Sequence, residues 1–543
     1  TIQFQNTGIS PGWGPATFIQ NNYNWRNVLS WVKGAHTLKF GFQAFYGDDD
    51  ARFNGVNGRP TFQFNNLLDL VRDDPFSQSG PAYDPLTGQP GMGGYRHLLN
   101  TFGAFIQDDW KVRPNLTLTL GIRWDDYGNP YADLEKTPTF GNIILGPGGT
   151  LQEQIASASV RSVEGAYDGR LNKNFSPRLG FAWDPTGEGK WAIRGGAGLY
   201  NDWIPLGQAN TIRGNPPGVI YPRFVRGQTE VQPIFSIGTQ NTFPFGFTLP
   251  QLPAQELDER GGVVGAQVSA GGIDRNIKSP KTFIWNTGVE RQLPGRWVLG
   301  AMYSGSRTWD SVIGTDMNRF AGDLLDGSLD RLNPSFGAMT YIFNRNEIDY
   351  HAAIFTARST LSARSQIQAS YTLSQTKDLG QGGSRVNRDG GFNFPEPTNF
   401  ENYRSFADWD ARHRFSLAGY YQFPDPGNAV LKHIFGGWQI SSVTILQSGL
   451  PFQVVNRGPW NPIEDAEGRV TGFRPGSGDY NADGFNYDYP NAPSQDFTGS
   501  HDRQEYIRGL FTAADFPTPE PGTPGNLQRH IYRGPGLINV DAG

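Results

Sequence analysis

The stretch of this sequence best equipped for chemistry is Asp479-Tyr-Asn481-Ala-Asp483-Gly484-Phe-Asn486-Tyr-Asp488. Oxygen-bearing side chains at alternate positions, with a glycine at the sixth, repeat the opening of a calcium loop. There a hard cation gathers carboxylate and carbonyl oxygens and glycine permits the sharp turn. On this reading Asp479, Asn481, Asp483 and Asp488 are the metal ligands, and Ca2+ is the one cofactor expected. The twelfth position is Pro490, so the bidentate acid that completes such a loop is missing. The competing reading is a surface loop built of Asx turns. Interleaved with the acids are Tyr480, Phe485, Tyr487 and Tyr489, whose rings could stack on a sugar or another flat ligand.

Other motifs carry less. Gly8-Ile-Ser10-Pro-Gly12 has the letters of a hydrolase nucleophile elbow, but Pro11 removes a backbone N–H needed for an oxyanion hole and no helix pattern follows. Gly187-Glu-Gly189-Lys190 has the look of a phosphate loop, yet Trp191 stands where Ser or Thr is needed. Both read as turns. The histidines are scattered, with no H-E-x-x-H pattern and no cysteine anywhere in the chain, so zinc chemistry has no ligand set. His413, between Arg412 and Arg414, reads as a lumen or rim residue. The pairs Asp108-Asp109 and Asp125-Asp126 fall at strand ends, where solvated charge is cheap. No catalytic residue is assigned, and an enzyme is not expected.

The elements that must hold these residues are strands. Seventy glycines, 39 prolines and 13% aromatic residues beside 37% hydrophobic residues favour many strands and turns over packed helices. A formal charge of −5, spread along the chain, offers no basic stripe for nucleic acid. No apolar run reaches the roughly 18 to 20 residues of a spanning helix, and the mean hydropathy is −0.50. A membrane barrel passes that test unseen, because its strands alternate lipid-facing and lumen-facing residues. The N-terminus, Thr1-Ile-Gln-Phe4, lacks the charged and apolar regions of a secretion signal.

Leu116-Thr-Leu118-Thr-Leu120-Gly-Ile122-Arg-Trp124 alternates strictly, which is strand spacing, over about the 9 to 11 residues a tilted strand needs to cross a bilayer. With Phe102 to Trp110 it forms a hairpin around Val112 to Asn115. The unit recurs in hairpins near 22–46, 102–124, 177–200, 282–306, 352–374 and 412–449, about twelve strands in all. Links within hairpins are mostly short, while those between them run 47–97, 126–173, 202–280, 307–349, 376–411 and 450–538. Strict alternation of short and long connections predicts an all-β, transmembrane antiparallel β-barrel with short periplasmic turns and long extracellular loops. Trp25, Trp31, Trp110, Trp124, Trp183, Trp191, Trp285, Trp297 and Trp438 fall at or near strand ends, as an interfacial girdle requires.

The segments resemble the barrel repeats of TonB-dependent outer-membrane receptors, most closely the Oar-like group. The pieces that carry the resemblance are Gly34-Ala-His-Thr-Leu-Lys-Phe-Gly41, Phe105-Ile-Gln-Asp-Asp-Trp110, Ser176-Pro-Arg-Leu-Gly-Phe-Ala182 with Arg194-Gly-Gly-Ala-Gly198, Tyr303-Ser-Gly-Ser306, Ala369-Ser-Tyr-Thr-Leu-Ser374, Asp410-Ala-Arg-His-Arg-Phe415 and Gln447-Ser-Gly449. The resemblance implies a barrel of twenty-two strands, preceded by a plug domain and a short TonB-contacting segment. Neither the plug nor that segment is found in these residues, and the close on Asn539-Val-Asp-Ala-Gly543 departs from the family's terminal aromatic. The chain is expected to be the barrel portion, truncated at both ends.

The function expected from the resemblance is uptake of a bulky nutrient, whether glycan, peptide or metal chelate, across the bacterial outer membrane. External loops would bind the ligand, outer-membrane lipid would surround the wall, and an inner-membrane TonB-type complex would supply energy through the missing N-terminal region. A structural or adhesive barrel without transport is the alternative of a second class. A secreted soluble all-β binding protein is the third.

Overall fold

The computed structural model describes residues 2–3, 8–9, 17–52, 60–80, 82–91, 94–132, 141–204, 206–225, 251–380, 394, 396–458, 460–499 and 501–543. Ser10 to Gly12, the centre of the elbow-like motif, lie outside them. One sheet of fifteen strands dominates, and thirteen of these follow one another as an uninterrupted antiparallel meander. In chain order they are β1 (Thr17–Lys33), β2 (His36–Arg52), β3 (Gly94–Arg113), β4 (Leu116–Asp126), β5 (Asn174–Trp183), β6 (Trp191–Asn201), β7 (Lys281–Leu293), β8 (Trp297–Asp316), β9 (Phe336–Ser362), β10 (Ser365–Asp378), β11 (His413–Gln422), β12 (Gln439–Gln447) and β13 (Leu537–Ala542). Each strand pairs with the next, and no pairing joins β1 to β13 among the described residues.

All the tight connections lie on one rim. Gly34, with a φ of 58°, turns the chain between β1 and β2, where a left-handed backbone suits a residue without Cβ. Pro294-Gly295-Arg296 turns it between β7 and β8, and Ser362 and Ser365 share a hydroxyl hydrogen bond of 2.8 Å across the β9–β10 turn. Gly187-Glu-Gly189 belongs to a turn gathered by Asp184, whose carboxylate accepts from the backbone N–H groups of Thr186 and Gly189. Only the β11–β12 link is longer, and it carries the short helix α1 (Ala429–Phe435). The long connections all leave from the opposite rim.

The register assigns the two faces of the wall. Trp183, Ile193, Val289, Ala301, Phe355, Tyr371, Phe415, Leu446 and Ile538 are successive cross-strand partners from β5 to β13. The adjacent row, on the other face, reads Ala192, Glu290, Gly300, Thr356, Ser370, Ser416, Ile445 and Asn539. One face is apolar yet exposed, with Phe355 at 50% and Ile538 at 76%. The other is polar and self-bonded: Glu290 takes Arg194 at 3.2 Å, and Ser370 meets Ser416 at 2.7 Å. A single layer with its oily side out is the pattern of a wall whose solvent is hydrocarbon.

The dry core lies above the wall, not inside it. β8 and β9 continue outward past a register shift between Thr308 and Val312, and Val268–Ile273 runs parallel beside β9 there. Ile313, Phe336, Met339 and Tyr341 on this extension are buried together with Phe394, Phe400 and Tyr489 from the loops. Long loops can be buried only if their backbone polar groups find partners, and asparagines supply them. Asn142 donates to the carbonyls of Ala166 and Ile273 and accepts from the N–H of Ile273. Asn318 donates to the carbonyls of Asn333, Phe336 and Gly337, and Asn333 donates to those of Ile155 and Ala158.

Candidate functional site

The acidic loop lies in this outer cap, where the connections β8–β9, β10–β11 and β12–β13 meet. Asp479 and Ala482 hold positive φ, as does Gly484. That left-handed geometry coils the loop so that Asp479 accepts from the N–H groups of Asp483 and Gly484 at 3.0 Å each. Asp483 accepts from Phe485 N–H at 2.9 Å and from the Asn481 amide at 3.1 Å. Asp488 accepts from Asn481 N–H at 3.3 Å. The four ligands expected from the sequence are thus brought together, all at 2% exposure or less.

The charge that meets them belongs to the protein. Arg319, fully buried, donates to the Asp483 carboxylate and to the Phe394 carbonyl, and its guanidinium lies 4.5 Å over the Phe485 ring. Among the described residues no three acidic or histidine side chains form a group able to hold a metal ion. Burial lifts the Asp483 carboxyl to about 7 despite Arg319, and burial beside Asp483 and Asp479 lifts Asp488 to about 8. Asp479 is raised as well, again chiefly by burial. Asp488 Oδ1 is buried with no hydrogen-bond partner.

The aromatic residues of the loop face inward. Tyr480, Tyr487 and Tyr489 are 4 to 8% exposed, packed respectively against Phe473, beneath Arg457 and against Tyr403. Phe485 is half-buried under Arg319. In this arrangement the three tyrosines are packing around an ionic centre and not an open stacking surface, and only Gly484, Phe485 and Asn486 of the loop reach its exterior.

Two further arginines do for the cap what Arg319 does. Arg529 pairs with Asp378 and also donates to the Tyr403 carbonyl, and Arg533 pairs with Asp410. None of the three was singled out from the sequence, since each partner is more than a hundred residues away and no local pattern connects them.

The remaining candidates are accounted for by pairing. Asp108 bonds His36 at 2.7 Å and Asp109 bonds Lys39 at 2.9 Å, while Asp126 pairs with Arg170 at 2.9 Å. His413 sits at the outer rim on the apolar face, 2.7 Å from the Tyr371 hydroxyl. His351 makes the same contact with Tyr303 at 2.8 Å.

Comparison with known proteins gives this architecture a family. A family model described as an outer membrane beta barrel domain matches residues 1–543. The chain belongs to that family. The barrel's place is the bacterial outer membrane, its oily face toward lipid. No match was found among curated proteins. Among solved structures the barrel is similar to the outer membrane transporter YddB from Escherichia coli, at 12% identity and a TM-score of 0.45, covering 81% of this chain and 44% of that one. It is similar also to the copper transporter OprC (11%, TM-score 0.40, 81% and 46%) and to the FrpB iron transporter from Neisseria meningitidis (12%, TM-score 0.39, 80% and 44%). The barrel thus spans less than half the length of each of these proteins.

Proposed function

We propose that this chain is the wall and outer cap of a TonB-dependent receptor that takes up a bulky nutrient, with the external loops as the ligand surface. One observation carries the reading. A polar-faced wall ends, on one rim only, in a folded cap built from long loops and the outward extensions of β8 and β9, which is the construction expected of a gate that selects what enters a lumen. The loop aromatics enclosed in the cap would reach a ligand only after the cap opens, so the first contact falls to the outer surface of the loops.

The test is uptake by cells carrying the full-length gene against cells lacking it, using a fluorescent oligosaccharide, a labelled peptide pool and a radioiron chelate as probes. Accumulation that depends on the gene and stops when an uncoupler collapses the proton gradient supports the reading. Surface binding that is gene-dependent but indifferent to the uncoupler points instead to an adhesive barrel.

Calcium in the loop of Asp479, Asn481, Asp483 and Asp488 is a further proposal. What supports it is Asp488 Oδ1, a buried oxygen without a hydrogen-bond partner; because no three of these carboxylates are gathered into a metal-holding group, the loop would have to draw in around the ion. A divalent cation would relieve the same charge that protonation relieves.

A further inference from the structure

The lipid-facing side of the wall contains a slot. Ala357 and Ala369 are direct cross-strand partners, and Ala301 on the neighbouring strand stands two residues beyond Leu299, the partner of Ala357, on the same face. Three methyl groups form a low floor. Larger side chains on the same face, Val289, Phe355 and Tyr371, rise around it, leaving an open groove of about 630 Å³. That volume lies within the roughly 300–1,000 Å³ of ordinary small-molecule sites.

One end of the slot is cationic. Arg291, cross-strand from Trp191, lies two residues before the end of β7, at the depth of the short turns. Its guanidinium lies 4.6 Å over the Trp191 ring, and among the described residues it has no carboxylate and no hydrogen-bond acceptor. Neighbouring Glu290 points to the other face, where Arg194 and Arg358 take it. A guanidinium on the oily side of a membrane wall belongs at headgroup level, where it can find an anion. Lys33 over Trp31, beside the first short turn, marks the same level.

We propose that this slot binds one glycerophospholipid of the periplasmic leaflet, an acyl chain lying over Ala301, Ala357 and Ala369 and the phosphate diester held by Arg291. The charge and its height choose the occupant. An apolar slot takes a hydrocarbon chain, a free guanidinium at its end takes a phosphate oxygen, and the short-turn rim faces the inner leaflet, away from lipopolysaccharide. A second copy of the chain fits less well, because a slot one side chain deep offers far less than the roughly 1,200 Å² of a stable interface.

The experiment uses full-length protein extracted from outer membranes in mild detergent, delipidated, supplied with phosphatidylglycerol and examined by native mass spectrometry. Wild type should retain one phospholipid per chain. Arg291→Gln and Ala357→Leu should each lower retention about tenfold, while Leu120→Ala, on the same face but far from the slot, should not. Arg291 supports no core contact, so its variant keeps the result readable if Ala357→Leu misfolds. Equal retention in wild type and Arg291→Gln overturns the proposal, as does recovery of detergent alone, of lipopolysaccharide, or of a dimer sealed over the slot.

Discussion

Arg319 and Asp483 form an ion pair in which neither side chain has more than 1% of its surface exposed, and 164 residues separate them in the chain. The pair joins the β8–β9 connection to the β12–β13 connection and closes the acidic loop from below. Removing one partner of such a pair leaves a buried charge uncompensated, at a cost of about 3–5 kcal/mol. Arg319→Gln should therefore expose residues 448–536 to limited proteolysis while the wall keeps its heat-modifiable gel migration. Loss of both together would show that the cap and the wall are one cooperative unit.

The same loop should respond to pH, with a definite sign. Asp483 and Asp488 titrate near 7 and 8 in the fold against about 3.9 when unfolded. The folded state therefore binds more protons than the unfolded one over that interval, and its stability falls as pH rises. The contribution is complete below about pH 4 and is lost as pH passes through 7 and then 8. Hydrogen exchange of the loop, divided by the base-catalysed rate of an unprotected amide at the same pH, should accelerate between pH 6 and pH 9 by about tenfold or more. Asp488→Asn should flatten that rise, and added calcium should slow exchange at pH 9 in wild type but not in Asp488→Asn; calcium indifference in wild type would end the metal proposal.

The two faces of the wall predict opposite tolerance to charge. Leu179 lies mid-strand on β5 and faces outward, paired with Leu120 and Ala197, so Leu179→Arg should destabilise insertion by about 2–4 kcal/mol. Gln368 on β10 is exposed on the polar face, and Gln368→Arg should change stability by less than about 0.5 kcal/mol. Urea titration of the protein folded into vesicles reads both.

The asparagine staples should be individually costly. Asn318 serves three backbone carbonyls and is itself fully buried. Asn318→Ala leaves those groups unpaired at about 1–3 kcal/mol for each that water cannot reach. Asn318→Asp should fare no better, because a carboxylate cannot donate to a carbonyl. Differential scanning calorimetry resolving a separate cap transition would measure it.

How much of this was legible in the sequence depended on what each strand faces. Leu116 to Trp124 alternates because one side meets lipid and the other the lumen, and it lies within β4. Phe336 to Phe343 does not alternate, since loops cover both of its faces, and the outward half of β9 therefore passed for loop. β13, Leu537–Ala542, is too short to show a period of its own: the sequence places its first two residues in the 450–538 connection and the rest at the close of the chain. In the candidate site the acids announced themselves by spacing, whereas Arg319, Arg529 and Arg533 had no signature, their partners being chosen by the packing of loops and not by any local period. The tyrosines looked like a contact surface for the same reason: composition reports a ring, and only the fold reports which way it turns.

A register shift between Thr308 and Val312 divides β8 into a lower part bathed in hydrocarbon and an upper part wrapped by protein. Height along one strand therefore sets how much a substitution costs. Leu299, below the shift, rests against a solvent as greasy as itself and gains little from companions, whereas Ile313, above it, is held by neighbours that exclude water. Truncating Leu299 removes surface that the bilayer can refill, but truncating Ile313 leaves a void. Two residues on one continuous strand, alike in chemistry, thus answer to different media, and variation along this strand should be read against altitude before it is read against residue type.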